Sequence, residues 1–470
     1  MLCSDMISKP PTRTEFGGFI MEEMNYENLK KLIDEGNFSF LRHELSEMNE
    51  VDIAEFLGEL DRETMIKVFR ILPKDISADV FAYLESEDQG DIISSITDTE
   101  IKKLVDELFL DDVVDLVEEV PANLVTRILK NATPETRKLI NTYLSYPDDS
   151  AGSIMTNEMV ELHDRLTVSE AIDHIRRTGI DKETIYTCYC IDNSRHLKGT
   201  IDLADLVFND SDALIRDIMD DDKQLIYVNT LDDQEKVAEV AKHYDLLAVP
   251  VVDNENRLVG MVTIDDIMDI IEEETTEDFE KMAALLPSED EYLKTPVITL
   301  VKNRIGWLLI LMISATLTST IISSFEEMLA AVSGLTAAIP LITGTGGNAG
   351  NQSSTIAIRS LALGEIELKD WLRVLFKEIR VAVICGAILG SVNFIRMMIL
   401  GGLGSFGTYM VVSAAMFFAV VMAKMIGCML PMLAKVLKID PAVIAGPVIS
   451  TLVDSLSLLV YFFLAKAFLL

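Results

Sequence analysis

The residues best equipped for chemistry sit late in the 470-residue chain, in Pro340-Leu-Ile-Thr-Gly344-Thr-Gly346-Gly347-Asn348-Ala-Gly350-Asn351-Gln352-Ser-Ser-Thr355. Four glycines, two asparagines and a glutamine break into an otherwise apolar run. At bilayer depth such residues are tolerated where the backbone is buried in protein or lines a wet cavity. Close packing of helices through small residues accounts for Gly346 and Gly350, but not for Asn348, Asn351 and Gln352. No Lys follows the glycines, so the stretch does not read as a phosphate cradle. It reads as a pore wall offering carbonyl and amide oxygens. The second such residue is Asp454, the sole charged side chain in 446–464. A carboxylate at that depth is costly unless it faces water or a partner. Pairing with a buried cation such as Lys424 is one explanation; a fixed negative charge in a cation path is the other, and the oxygen-rich stretch favours it. Gly446 and Pro447 offer a second break in the same apolar region.

Other chemistries find little support. No nucleophile–base pair, phosphate loop or hydrolase motif is present, and the five histidines show no ligand spacing, so no enzyme is expected. Cys3, Cys188, Cys190, Cys385 and Cys428 read as reduced or buried thiols. Charge is more informative. Through residue 302 the chain carries 68 acidic and 29 basic residues, a formal −39; beyond it, 8 acidic and 11 basic give +3. Self-repulsion of that size strains a folded domain and favours bound cations. It also excludes nucleic acid, whose phosphates need a basic footprint.

These groups must be positioned by membrane helices. Residues 305–324 form 20 residues without charge, enough to cross a bilayer. Four further apolar segments follow at about 329–363, 374–400, 406–433 and 441–470, and five such segments would leave almost no polar surface for a soluble domain. Lys302 and Arg304 precede the first span; Arg359, Lys369, Arg373, Lys377 and Arg380 separate the second from the third, and Lys435 and Lys438 the fourth from the fifth. All these fall on one side if the N-terminal half is cytoplasmic, which puts the C-terminus outside. Arg396 is the exception, expected to snorkel to the headgroups.

The soluble half reads as two modules. Residues 1–20 lack a secretory h-region and form an N-terminal extension, with Met21 a second candidate start. Over 21–150 short helices alternate with turn signals. Ser86–Gln89 and Thr97–Glu100 fit the capping box, and Thr133-Pro134 fits an N-cap with proline at N1. Short units recur, which predicts a small stacked helical superhelix. From 151 the texture becomes alternating strands and helices, twice over (151–215 and 216–271). Ser153-Ile-Met155 reappears as Asp217-Ile-Met219, and Leu197-Lys-Gly199-Thr-Ile-Asp202 as Leu258-Val-Gly260-Met-Val-Thr263. These residues resemble a tandem of CBS domains, α+β modules that often bind adenosyl ligands or ions. A connecting segment, 272–302, continues an acidic helix that begins near Ile264, and the transmembrane part occupies 303–470. Like charges such as Asp269–Glu273 and Glu273–Glu277 destabilise that helix unless cations screen them.

Taken in this order, the modules resemble the MgtE family of magnesium channels, most specifically at Gly344–Gln352, at Val262-Thr-Ile-Asp-Asp266 and at Thr451-Leu-Val-Asp454. The resemblance implies a homodimer in the plasma membrane, in contact with lipid, with five transmembrane helices per chain. It implies inward flow of Mg²⁺ past Asp454, Gly346, Gly347, Asn348, Gly350 and Asn351. It also implies closure by cytosolic Mg²⁺. The ligand candidates are Asp79, Asp111 and Asp115 in the helical module, and Asp233, Glu235, Asp245 and Asp266 in the second CBS domain. On the connecting helix they are Asp269, Glu274, Glu277 and Asp278, with Asp440 at the last span. ATP at the CBS pair is a further candidate ligand. An ion-coupled divalent-cation exporter and a membrane-anchored sensor that transports nothing are the rival functions.

Overall fold

The computed structural model describes residues 26–470 apart from 75, 220–224, 289–291, 294, 333, 401–404 and 445. The expected extension over 1–20, Met21 and Cys3 lie outside the described residues. The chain divides into two compact units, Met1–Ile270 and Ile271–Leu470.

Between Tyr26 and Tyr143 the first unit is a succession of short helices, the longest of them ten residues. Each buries one apolar stripe. In Leu110–Glu119 the stripe is Leu110, Val113, Val114, Leu116 and Val117, which turns Asp111, Asp112 and Asp115 away from the core. The Thr97 capping box forms in full, and Thr133 accepts from the Thr136 N–H with Pro134 at N1. The expected box at Ser86 does not form. Glu85 takes the N-cap position without a side-chain capping bond, while Ser86 donates to the Glu119 carboxylate and Gln89 turns inward to the Phe81 carbonyl.

The CBS pair follows as two three-stranded sheets of identical plan. β1 (Glu161–His163) runs parallel to β2 (Thr187–Ile191), which pairs antiparallel with β3 (Leu197–Asp202). β4 (Val228–Asn229), β5 (Ala248–Val252) and β6 (Leu258–Thr263) repeat the order. Even the irregularity recurs, at Cys190/Ile191 and at Val251/Val252. Cys188, Tyr189 and Cys190 are all fully buried, so β2 is covered on both faces, as expected of the central strand of such a sheet. The linking helix, Ile264–Met282, starts directly after β6.

The second unit is built from long helices. Val297–Ser324, Leu368–Leu400, Phe406–Val436 and Pro441–Leu469 are long and apolar enough to cross a membrane, with mean hydropathies of 2.0 to 2.1. The last contains a short helix, Pro441–Ile444, ahead of Pro447–Leu469. The expected second span, 329–363, is a 28-residue helix, Leu335–Ala362; its glycines and amides keep it out of the apolar class. Phe406–Val436 is the central helix, with residues such as Val412, Ala415, Val420 and Ala423 fully buried. Arg396 does not simply reach outward: it donates to Asn393 Oδ1 at 2.9 Å, and Asn393 donates to Ser413 Oγ at 3.2 Å.

Candidate functional site

The oxygen-rich stretch lies within one continuous helix, Leu335–Ala362, which carries Pro340 inside it. This corrects the expectation that its glycines break the helix and bare its carbonyls: within a helix those carbonyls are engaged along the ladder. The glycines serve close approach instead. A Cβ on Gly346 would stand 2.9 Å from Ser457 Oγ, and one on Gly350 3.1 Å from Ile449 Cγ2 and 3.3 Å from Val453 Cγ2. A Cβ on Gly427 of the central helix would overlap the Gly350 carbonyl oxygen. Gly346 and Gly350 are therefore contact residues between helices.

Gly347 faces Asp454, and Asn351 faces Ser450, one turn earlier on the same last helix. A Cβ on Gly347 would lie 3.5 Å from Asp454 Oδ1 and 3.7 Å from Ser450 Oγ. Asn351 donates to Ser450 Oγ at 3.0 Å, which leaves its buried Oδ1 without a hydrogen-bond partner. Among the described residues Asp454 itself makes no hydrogen bond or ion pair, and Lys424 reaches Ser353 rather than Asp454. A carboxylate, an orphaned amide oxygen and a serine hydroxyl thus share one wall, all of them hard oxygen donors. Asn348 is placed elsewhere. With Thr345, Gln352 and Lys424 it lines a crevice of about 360 Å³. The break before the last helix is real: Gly446 has φ +57°, and a Cβ there would overlap the Met282 carbonyl oxygen, so glycine is required twice over.

In the first unit the candidate ligands gather unevenly. Burial first, then Asp112, Glu183, Asp266 and Glu158, push Asp111 up to about 9. Burial, followed by Asp266, Asp79 and Glu158, raises Asp112 to about 6, and burial with Asp112, Asp265 and Asp266 raises Glu183 to about 8. Asp266 is raised as well, by burial, against a 2.6 Å bond from the Thr263 hydroxyl. Asp111 Oδ1 and Glu183 Oε2 are buried without partners. Asp115 and Asp79 lie at the exposed edge of the same acidic surface. Among the described residues no three His, Cys, Asp or Glu side chains converge tightly enough to hold a bare ion. All-carboxylate donors at this looser spacing suit Mg²⁺, which keeps several of its waters.

A smaller cluster occupies the second unit. Lys281 reaches Asp440 at 2.8 Å and Glu277 at 2.6 Å. Asp278 beside them is pushed up to about 6 by burial and then by Asp440, against the pull of Lys281. Glu277, Asp278 and Asp440 therefore lie together, with a lysine already among them.

Three family models match this architecture: one described as a divalent cation transporter over 339–464, the MgtE intracellular N domain over 48–149, and a CBS domain over 215–273. The magnesium transporter MgtE of Thermus thermophilus is 37% identical over 361 residues, covering 76% of this chain and 79% of that protein. The chain belongs to the MgtE family. The magnesium transporter MgtE of Bacillus subtilis is 34% identical over 358 residues, covering 76% of this chain and 78% of its own. Among solved structures, the cytosolic domain of the Mg²⁺ channel MgtE in complex with ATP is 34% identical, with a TM-score of 0.50 over 52% of this chain and 99% of that one.

Within this MgtE chain several candidates stand apart from both clusters. Asp233 caps the helix Gln234–Tyr244 by accepting from the Glu235 N–H at 3.0 Å, with Glu235 exposed beside it. Asp245 ends that helix with φ +53° and borders a cleft of about 760 Å³ together with Tyr186, Asp202, Phe208, Tyr244 and Leu246. That lining combines aromatic and apolar side chains with the exposed carboxylates of Asp202 and Asp245. Asp269 and Glu274 lie along the linking helix. Sequence reasoning missed Asp112, Asp265, Glu158, Glu183 and Lys281. The first two sit beside named candidates. Glu158 and Glu183 come together through the backbone bond from the Glu183 N–H to the Glu158 carbonyl, for which the 24 intervening residues give no local signal.

Proposed function

We propose that this MgtE protein conducts Mg²⁺ inward across the plasma membrane and is closed by cytosolic Mg²⁺. The observation that carries the reading is Asp454, an ion-pair-free carboxylate among the described residues, facing Gly347, with Ser450 and its partner Asn351 one turn away. A divalent cation keeping part of its water would be held there by the carboxylate, with the Asn351 oxygen and the Ser450 hydroxyl receiving the hydration shell. Relatives of the same architecture named as magnesium transporters supply the ion. In this reading the chain works as a homodimer in a lipid bilayer, with five spans, the soluble modules in the cytoplasm and the C-terminus outside. The membrane potential drives flow, at about 2.3 kcal/mol per charge per 100 mV.

Closure uses the acidic cluster. Mg²⁺ with its waters bridges Asp111, Asp112, Glu158, Glu183, Asp265 and Asp266, holding the helical module on the CBS pair; Asp79 and Asp115 at the rim, and Asp233, Glu235 and Asp245 on the second CBS domain, extend the cation-attracting surface. Asp269, Glu274, Glu277, Asp278 and Asp440 do the same along the linking helix. When Mg²⁺ falls, repulsion separates the modules, a population shift with the transported ion as effector. ATP would occupy the cleft beside Asp202, with its adenosine on Tyr186 or Tyr244.

The docked carboxylates sit above their ordinary values, so docking binds protons. Below about pH 4 the groups are protonated in both arrangements and carry no penalty; as pH rises towards 9 the docked form loses stability unless Mg²⁺ replaces the protons. Limited proteolysis should therefore cut between the helical module and the CBS pair at pH 8 without Mg²⁺, and be suppressed by millimolar Mg²⁺ or by pH 5. Equal cleavage at pH 8 with and without Mg²⁺ would remove the gating mechanism.

A further inference from the structure

One buried polar group in the second unit has no part in the path just described. Lys424 lies along the central helix with 6% of its surface exposed. Its Nζ donates to Ser353 Oγ at 3.3 Å, and Ser353, 2% exposed, donates to Glu378 Oε2 at 3.0 Å. The direction is fixed by chemistry: an ammonium can only donate, so the hydroxyl accepts from it and passes its own proton towards the carboxylate. A cationic and an anionic side chain are thereby joined through one hydroxyl, each from a different helix: Phe406–Val436, Leu335–Ala362 and Trp371–Leu400.

Ionisable groups inside membrane helices are rare and mark function. Here the placement on the glycine-rich helix is informative. At about 100° per residue, Ser353 lies roughly 160° round the helix from Asn351 and roughly 120° from Gly347. Drawing Ser353 towards Lys424 turns Asn351 and Gly347 the other way, to the last helix. These helices meet through small residues, which let their backbones approach closely.

We propose that Lys424 and Glu378, acting through Ser353, are positioning residues of the ion path, fixing the rotation of the helix Leu335–Ala362 so that Gly347 faces Asp454 and Asn351 reaches Ser450 on the same last helix. This rests on the reading of Asp454 as a wall of that path. Removing one charge strands the other in the bundle, whereas removing both leaves nothing to compensate.

The test is Mg²⁺ uptake into proteoliposomes by the full chain, with maximal rate and half-saturating Mg²⁺ measured separately and each variant checked for monodispersity. K424M and E378Q are each expected to raise half-saturating Mg²⁺ about tenfold in monodisperse protein, and the double variant K424M/E378Q to return within about threefold of the parent. K424R, which keeps charge and donors, is expected to stay close to the parent. Unchanged half-saturation in the folded single variants would overturn the proposal. So would a double variant worse than either single one, or variants whose only defect is less folded protein. D454A runs alongside: if it still carries Mg²⁺ at the parent rate, the path reading fails, whatever the Lys424 and Glu378 variants do.

Discussion

Replacing Asp454 by alanine is expected to abolish Mg²⁺ uptake, lowering it by about a hundredfold or more, the equivalent of losing an ionic interaction worth about 3 kcal/mol in a low-dielectric site. Removing this side chain strands no counter-charge, because it has no ion-pair partner among the described residues. The protein should therefore assemble normally and bind regulatory Mg²⁺ through the first unit as before. Asp454→Asn tests charge against shape. It keeps the volume beside Gly347 and should be nearly as inactive as the alanine variant. Uptake by the asparagine variant at the parent rate would mean that the wall acts by shape. A membrane-anchored sensor that transports nothing would show no uptake in either form. An exporter would show uptake only against a counter-ion gradient. Radiotracer or fluorescent-indicator uptake in liposomes separates all of these.

The second large effect is expected at Gly427. Its α-carbon approaches the Gly350 carbonyl so closely that any Cβ overlaps the oxygen, and neither partner is a flexible side chain. The central helix and the glycine-rich helix must then move apart. Overpacking alone costs about 1–3 kcal/mol, and backbone against backbone lies at or above the top of that range. Gly427→Val should destroy monodispersity in detergent, and Gly427→Ala should lower the unfolding temperature and uptake together. Gly344 is the contrast. It has open space within the chain, so Gly344→Ala should be neutral or stabilising by up to about 1 kcal/mol from helix propensity. Size-exclusion profiles and thermal unfolding of the three variants decide this. If Gly427→Ala and Gly344→Ala behave alike, the close approach is not a determinant of the bundle.

Much of this is legible in the sequence. Charge asymmetry and apolar runs divide soluble from membrane halves, because lipid demands helices that satisfy their own backbone. The doubled Leu–x–Gly pattern gives the CBS pair, since Gly260 must lie against Met155 and the Thr156 carbonyl, where no side chain fits. The glycine-rich stretch was harder. Glycines in an apolar run signal either a broken helix or a tight contact, and only the neighbours decide. Here Gly346 and Gly350 meet Ser457, Val453 and Ile449 along an unbroken helix. Asn348 and Asn351 are three apart in one oxygen-rich stretch, yet they differ in what they face. The acidic cluster was half legible. Aspartates on Leu110–Glu119 follow from the apolar stripe beneath them, whereas Glu158 and Glu183 reach it through tertiary folding that leaves no local pattern. Lys281 was hidden for a different reason: one basic residue in an acidic run reads as solubility, and only its contacts with Glu277 and Asp440 show a built-in counter-ion.

The protein is expected both to conduct Mg²⁺ and to be closed by it. The most direct measurement is the Mg²⁺ current through purified protein in a planar bilayer, with Mg²⁺ varied only on the side bearing the soluble modules. The account predicts a passive inward current at submillimolar Mg²⁺ on that side, no requirement for a counter-ion, and closure as Mg²⁺ there rises into the millimolar range. A current indifferent to Mg²⁺ on that side, or none without an opposing ion gradient, would contradict it.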